Sequence, residues 1–239
     1  MTLKNEFLNV FNILAAPSEV FADIKEKPHW RIAFIIVLAS SMLIGWFMIP
    51  AMEQPLRSIY SKSFGENGAE AAMSSMMRMY FVLGVIVQPA LAFIRWTVFS
   101  IALSCLTRVF NSEAPLQFKQ VFSATVYCEI IFILMSTLNV LIIYAKGLEQ
   151  IETANDLTIF KGLEFFLKNK NENAVLVTLL GSINIFSIWY LIVVSISIRL
   201  FTGLKGSESF MLSVIAWLAW MAISLMQPVF VNSIMNIIS

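Results

Sequence analysis

Five apolar stretches, at about residues 31–50, 80–108, 119–145, 174–201 and 209–236, dominate the sequence. Each reaches the roughly 20 residues that a helix needs to cross a hydrocarbon core about 30 Å thick. Inside a bilayer every backbone N–H and C=O must be satisfied within the protein, so only helices and closed barrels span it. A lipid-facing barrel would show segments of about 10 residues with alternating polarity. These runs are long and continuous, which predicts an all-α, polytopic membrane protein: a bundle of five transmembrane helices. The charge content fits, at 13% of residues against about 25% in an ordinary soluble domain. Sixteen Lys plus Arg nearly balance fifteen Asp plus Glu. No basic block is long enough to follow a phosphate backbone, so nucleic acid is not an expected partner.

Residues 1–30 read as a cytoplasmic, amphipathic segment ahead of the membrane domain at 31–239. Glu6, Asn9 and Asn12 interrupt any apolar core of a cleaved targeting peptide, so the segment is expected to be retained. Leu3, Phe7, Val10, Phe11 and Leu14 recur at helical spacing opposite Lys4, Asn5, Asn9 and Asn12, which predicts a helix lying along the membrane surface. A second short helix should start at Pro17 or Ser18, carry Val20, Phe21 and Ile24, and stop before Pro28. Lys25, Lys27, Trp30 and Arg31 then form an interfacial belt at the start of the first span.

Orientation follows from the connections. The loops at about 109–118 and 202–208 are short and flanked by Arg108, Lys119, Arg199 and Lys205, whereas the cations of the other side sit in segments approaching 30 residues, where they count for less. This predicts a cytoplasmic N-terminus and, after five crossings, a C-terminus outside. The outer segments are 51–79, read as a loop, and 146–173. In the latter, Asn155 or Asp156 is expected to cap a helix presenting Leu157, Phe160, Leu163 and Leu167.

Arg95 is a permanent cation in the middle of ALAFIRWTVFS. At 1.5 Å per residue, it lies roughly 20 Å from the cytoplasmic end of its span, and Glu129 lies roughly 17 Å along the next one. A short connection makes these spans an antiparallel hairpin, so the two charges can meet, and leaving either unpaired in hydrocarbon is costly. The pair admits a structural reading, a clamp registering one helix against its neighbour, and functional ones: a proton or substrate relay, a carboxylate site, or a gate. A neutral Glu129 beside a snorkelling Arg95 is a further structural reading.

Gln88-Pro89 and Gln227-Pro228 set amides beside prolines inside spans, while Asn139 and Asn184 add mid-span amides. Broken helices with such groups build transporter sites, but they also serve ordinary helix packing. Met73, Met76, Met77 and Met79 offer soft thioethers without His or Cys beside them and read as apolar filling. His29 reads as an interfacial polar residue. Cys105 and Cys128 read as buried small residues placed too far apart along the hairpin for a disulfide. No catalytic signature is present, so no enzyme activity, metal or cofactor is expected.

Three segments together, APSEVFADIKEKPHW, RVFNSEAPLQFKQVFSATVY and NIFSIWYLIVVSISIRLFTGLKGSESF, resemble the Yip domain family. The resemblance implies a five-span membrane fold, with Pro17, Phe21, Pro28, Trp30, Phe118, Phe186 and Trp189 as architectural landmarks. Eukaryotic members of the family bind Rab-type GTPases and act in vesicle traffic. With about 30 residues before the first span, this chain is more similar to the compact bacterial branch, which implies a bacterial inner membrane.

The expected function is that of a non-enzymatic integral membrane protein acting through protein or lipid contacts, as a transporter accessory or in membrane organisation or a trafficking-like role. Its expected partners are the lipid bilayer and another membrane protein or a second copy of itself. The alternative is a small-solute or ion transporter built on Arg95 and Glu129.

Overall fold

A computed structural model describes residues 3–82, 88–110, 116–167 and 174–224, with side chains described for most of them. Nine α-helices are described: α1 (Leu3–Ala15), α2 (Pro17–Glu26), α3 (Arg31–Val82), α4 (Gln88–Phe110), α5 (Phe118–Cys128), α6 (Ile130–Lys146), α7 (Ala174–Gly181), α8 (Ile185–Thr202) and α9 (Gly206–Ser224). Among the described residues there is no strand. Among the described residues, four stretches are long and apolar enough to cross a membrane: Arg31–Arg57, Leu91–Phe110, Phe118–Lys146 and Ile185–Thr202. The fifth apolar run is described as helix α9 as far as Ser224. Large apolar side chains such as Ile35, Leu43, Trp46, Ile94, Ile101, Leu141 and Ile192 point outward, as the faces of a multi-pass protein in contact with lipid do.

The N-terminal helices are part of the bundle. Pro17 opens α2, and the chain leaves the helix before Pro28. Val20, Phe21 and Ile24, spaced to share one face, are fully buried, and Phe21 meets Phe201 edge-on at 6.1 Å between ring centres. The Lys25 ammonium donates to the Leu200 carbonyl at 2.6 Å, in the last turn of α8, where carbonyls lack intrahelical partners and the helix dipole is negative. Gln120 of α5 donates to the Lys25 carbonyl at 3.0 Å. Thus α2 ties together the same end of α5 and α8.

In α1 the packing face differs from the expected one. Asn9, Val10 and Ile13 are buried, while Phe7, Leu8 and Phe11 are 49%, 45% and 57% exposed. Asn9 was placed on the polar face by periodicity. It is carried inward because it lies four residues before Ile13, and Val10 three before it, so that all three border the same packed face, and its amide donates to Asp23 at 3.1 Å.

The outer segment 51–79, expected as a loop, lies within α3, which runs unbroken for 52 residues through Pro50 and Pro55. Beyond the two prolines the sequence AEAAMSSMMRM is rich in strong helix formers, and that preference outweighs the breakers. The other outer segment differs in the opposite sense. In place of one amphipathic helix there are two single 3₁₀ turns, Ala154–Leu157 and Leu163–Phe166. The first is capped by Thr153 rather than Asn155 or Asp156, with Asp156 reaching back to the Thr153 amide at 2.9 Å. Asn139 of α6 takes the backbone groups a continuous helix would use: its Nδ2 donates to the Leu157 carbonyl at 2.8 Å, and the Ile159 amide donates to its Oδ1 at 2.7 Å. Phe160 then packs on Phe186, ring centres 5.0 Å apart. A side chain at Gly162 would sit 2.5 Å from the Gly181 carbonyl oxygen, so only glycine allows this segment to approach the end of α7 so closely.

The fourth apolar run, 174–201, is broken. α7 ends at Gly181 and α8 starts at Ile185, with Asn184 as its cap: Oδ1 accepts from the Phe186 and Ser187 amides at 3.0 Å each. The Asn184 amide in turn donates to Ser187 Oγ at 2.9 Å. Asn184 is therefore a helix start rather than a mid-span amide, an arrangement that satisfies donors left free at a helix N-terminus. At the other end of α8, Gly203 adopts the left-handed conformation of a C-terminal stop, with φ at +76°.

Candidate functional site: an Arg–Glu–Trp cluster beside a cavity

α4 and α5 run antiparallel, since Arg95 bonds Glu129 while Ser100, further along α4, approaches Thr125, earlier along α5, at 3.4 Å. Three elements of local structure converge at Glu129. Arg95 Nη2 donates to Oε1, and Trp96 Nε1 donates to Oε2 at 2.9 Å. The backbone at Glu129 is itself irregular, lying between α5 and α6 with its carbonyl accepting from both the Phe132 and Ile133 amides at 3.0 Å. Such a tightened turn inside an apolar span marks a locally altered helix, and here it sits where the only buried carboxylate among the described residues is held.

Glu129 is 5% exposed and Trp96 1% exposed. An unpaired carboxylate there would be strongly disfavoured, and the two donors, on consecutive residues of α4, satisfy one oxygen each. Trp96 was absent from the sequence-derived site. The available signal was its indole N–H, a donor that seeks a partner when buried, next to the arginine in IRWT.

The cluster forms one wall of a cavity of about 180 Å³. Asn184 and Ser187 from the start of α8, Tyr190 one turn on, and Trp217 and Trp220 of α9 complete much of its lining. The break between α7 and α8 thus places the capped N-terminus of α8 beside the ion pair, which a continuous fourth span would not have done.

Other sequence-derived positions fall elsewhere. Asn139 holds the outer segment and does not line this cavity. Gln88 and Pro89 are the first residues described in α4, with side chains outside the described set, and Gln227 and Pro228 lie outside the described residues altogether. Among the landmarks, Pro17 and Phe21 belong to α2 and Pro28 follows it. Trp30 packs edge-on against Phe34 and Phe122, Phe118 stacks on Phe122, and Phe186 lies against Trp189. Cys128 is buried, but Cys105 is exposed on the outer face of α4, against the expectation that both are buried; a small apolar residue faces lipid without cost. His29 Nδ1 lies 2.9 Å from the Lys27 carbonyl, and its ring meets Tyr127 edge-on. Met73 is half-buried, and the side chains of Met76, Met77 and Met79 are outside the described set. Among the described residues no cluster of His, Cys, Asp or Glu is suited to a metal ion.

No curated protein and no solved structure matches the chain. The model of the Yip1 domain matches residues 11–226, from within α1 past the described end of α9, and so takes in α2, the Arg95–Glu129 hairpin and the interrupted α7–α8 unit. By that match the chain belongs to the Yip1 domain family.

Proposed function

We propose that this protein works without catalysis, through contacts with another membrane protein or with lipid, as an accessory or organising component of a bacterial inner membrane with its N-terminus in the cytoplasm. The observation that carries this reading is the double-faced α1. One face, with Val10 and Ile13, is sealed against the bundle, while Phe7, Leu8 and Phe11 remain together on the outside. A helix held in place by one face and apolar on the other presents a preformed contact surface at the interface. The orientation is supported by Lys25, Lys119 and Arg199, which cluster at the end where α2, α5 and α8 are tied.

The test is to purify wild-type protein and a Phe7→Ser/Phe11→Ser variant from native membranes in mild detergent and identify stoichiometric companions by mass spectrometry. The expected result is a reproducible membrane-protein companion lost from the folded variant. A wild-type preparation with no companion and a variant that floats with lipid vesicles as wild type does would sink this reading.

The cavity beside Arg95 and Glu129 favours a second reading, passage of a small solute or ion, because a few polar groups gathered beside an interrupted helix are how transporters build sites within a membrane. A flux assay on reconstituted protein separates the two.

A further inference from the structure

Among the described residues, the lining of the cavity beside the ion pair combines the hydroxyls of Thr125, Ser182, Ser187 and Tyr190, which donate and accept, with several groups that can only donate. Both oxygens of Glu129 are occupied, by Arg95 and by Trp96. A guanidinium carries five N–H groups, and among the described residues Arg95 hydrogen-bonds only Glu129, with the Tyr190 hydroxyl near enough to interact electrostatically. Asn184 has its oxygen taken by two backbone amides, and its NH₂ has no partner among the described residues. The indoles of Trp217 and Trp220, which are donors only, line the same space and likewise bond no described residue. Donors left without acceptors inside a membrane domain are disfavoured, so this lining is complementary to an acceptor-rich group. The N-terminus of α8 adds the positive end of a helix dipole on the same side.

We propose that this cavity binds a phosphate group, gripped by Arg95 and Asn184 with the α9 indoles around it. A carboxylate offers two oxygens in one plane. A tetrahedral phosphate offers acceptors in several directions and suits donors from three separate helices, α4, α8 and α9. At about 180 Å³ the cavity falls below the range of about 300–1,000 Å³ typical of sites that enclose a drug-sized ligand, so it takes a headgroup-sized moiety. The phosphate arrives either on a membrane lipid or as a soluble anion. The inference does not rest on the α1 contact surface, and ligand binding decides it whether or not a protein companion exists.

Three tryptophans, Trp96, Trp217 and Trp220, line the cavity, so intrinsic fluorescence of the full chain in non-ionic detergent reports occupancy. The titrants are phosphatidylglycerol, inorganic phosphate, and diacylglycerol as the phosphate-free control. The expected result is a saturable change with phosphatidylglycerol but not with diacylglycerol. Loss of charge-assisted donors should weaken its midpoint about tenfold or more in an Arg95→Gln/Glu129→Gln variant. Saturation by inorganic phosphate as well identifies a soluble anion as the source; saturation by the lipid alone identifies a headgroup. Should the double variant fail to fold, Asn184→Ser serves, since it keeps a capping oxygen and removes the NH₂. No saturable response to either phosphate probe, a response to diacylglycerol equal to that of the phospholipid, or midpoints unchanged in the folded variants overturns the proposal.

Discussion

Trp96 and Glu129 are joined by a 2.9 Å hydrogen bond from the indole to the carboxylate oxygen that Arg95 leaves free. The carboxylate is thereby held from two successive positions of one helix, and its orientation is fixed in a way a lone ion pair would not fix it. Trp96→Phe keeps an aromatic ring in its buried place and removes the N–H. A hydrogen bond to a charged group contributes about 1.5–3 kcal/mol, so the variant should melt at a lower temperature in detergent by an amount corresponding to that range. A melting temperature equal to wild type would show that Oε2 finds another donor.

The ion pair itself makes a prediction about non-additivity. Removing one partner of a buried pair strands the other and costs about 3–5 kcal/mol, whereas replacing both with apolar residues is often close to neutral. Arg95→Leu and Glu129→Leu should each lower yield and thermal stability sharply. The double variant should recover most of the loss, because the interaction term between contacting residues is large and of compensating sign. A double variant that folds like wild type yet has lost flux or ligand binding would give the pair a functional role, and one that is as damaged as the two losses added together would exclude the clamp.

The meeting of Arg95 and Glu129 was legible in the sequence because two physical constraints pointed to it: a charge in hydrocarbon needs a partner, and helical rise sets comparable depths for the two residues. The limits of α2 were legible for a similar reason, since Pro17 favours a first turn and Pro28 forbids helix just before it. The rest of the site was not. Hydropathy runs unbroken through 174–201, so the break that delivers Asn184 to the cavity is invisible to a window average, although Asn184 followed by Ser187 carries the pattern of a capping box. Trp96 was hidden because a tryptophan in a span reads as apolar filling until its N–H is counted. The outer segment failed for a tertiary reason: its periodicity suits a helix, but Asn139, 18 residues before Leu157, claims the backbone groups. No local pattern contains that competitor.

Asn139 accordingly controls the order of the outer segment more than the bundle. Asn139→Leu leaves the Leu157 carbonyl and the Ile159 amide without their partner, at a cost of about 1–3 kcal/mol for each group that stays buried. The expected result is faster amide exchange and new protease cleavage between about residues 152 and 166, with the rest of the bundle protected as in wild type. Unchanged protection of the Ile159 amide would show that the contact does not hold the segment.

Asp156 gives a pH dependence whose sign is fixed. Its carboxylate accepts from the Thr153 hydroxyl at 2.8 Å and from the Thr153 amide at 2.9 Å, and these bonds, the hydroxyl contribution first, hold it below the usual carboxylate range. A carboxyl whose folded value is depressed contributes its stability above the unfolded value, about 3.9 for Asp, and loses it as the pH falls through the lowered folded value. The Thr153–Asp156 turn should therefore stay closed at neutral pH and loosen only below about pH 4. Because the group is only partly buried, solvent screens the interaction and the effect stays local rather than unfolding the chain. Amide exchange at Thr153, corrected for intrinsic rates, should be protected at pH 6 and lose that protection toward pH 3, whereas Asp156→Asn should show a flat profile. Protection that instead declined between pH 6 and pH 5 would contradict a depressed carboxyl and point to a different group holding the turn.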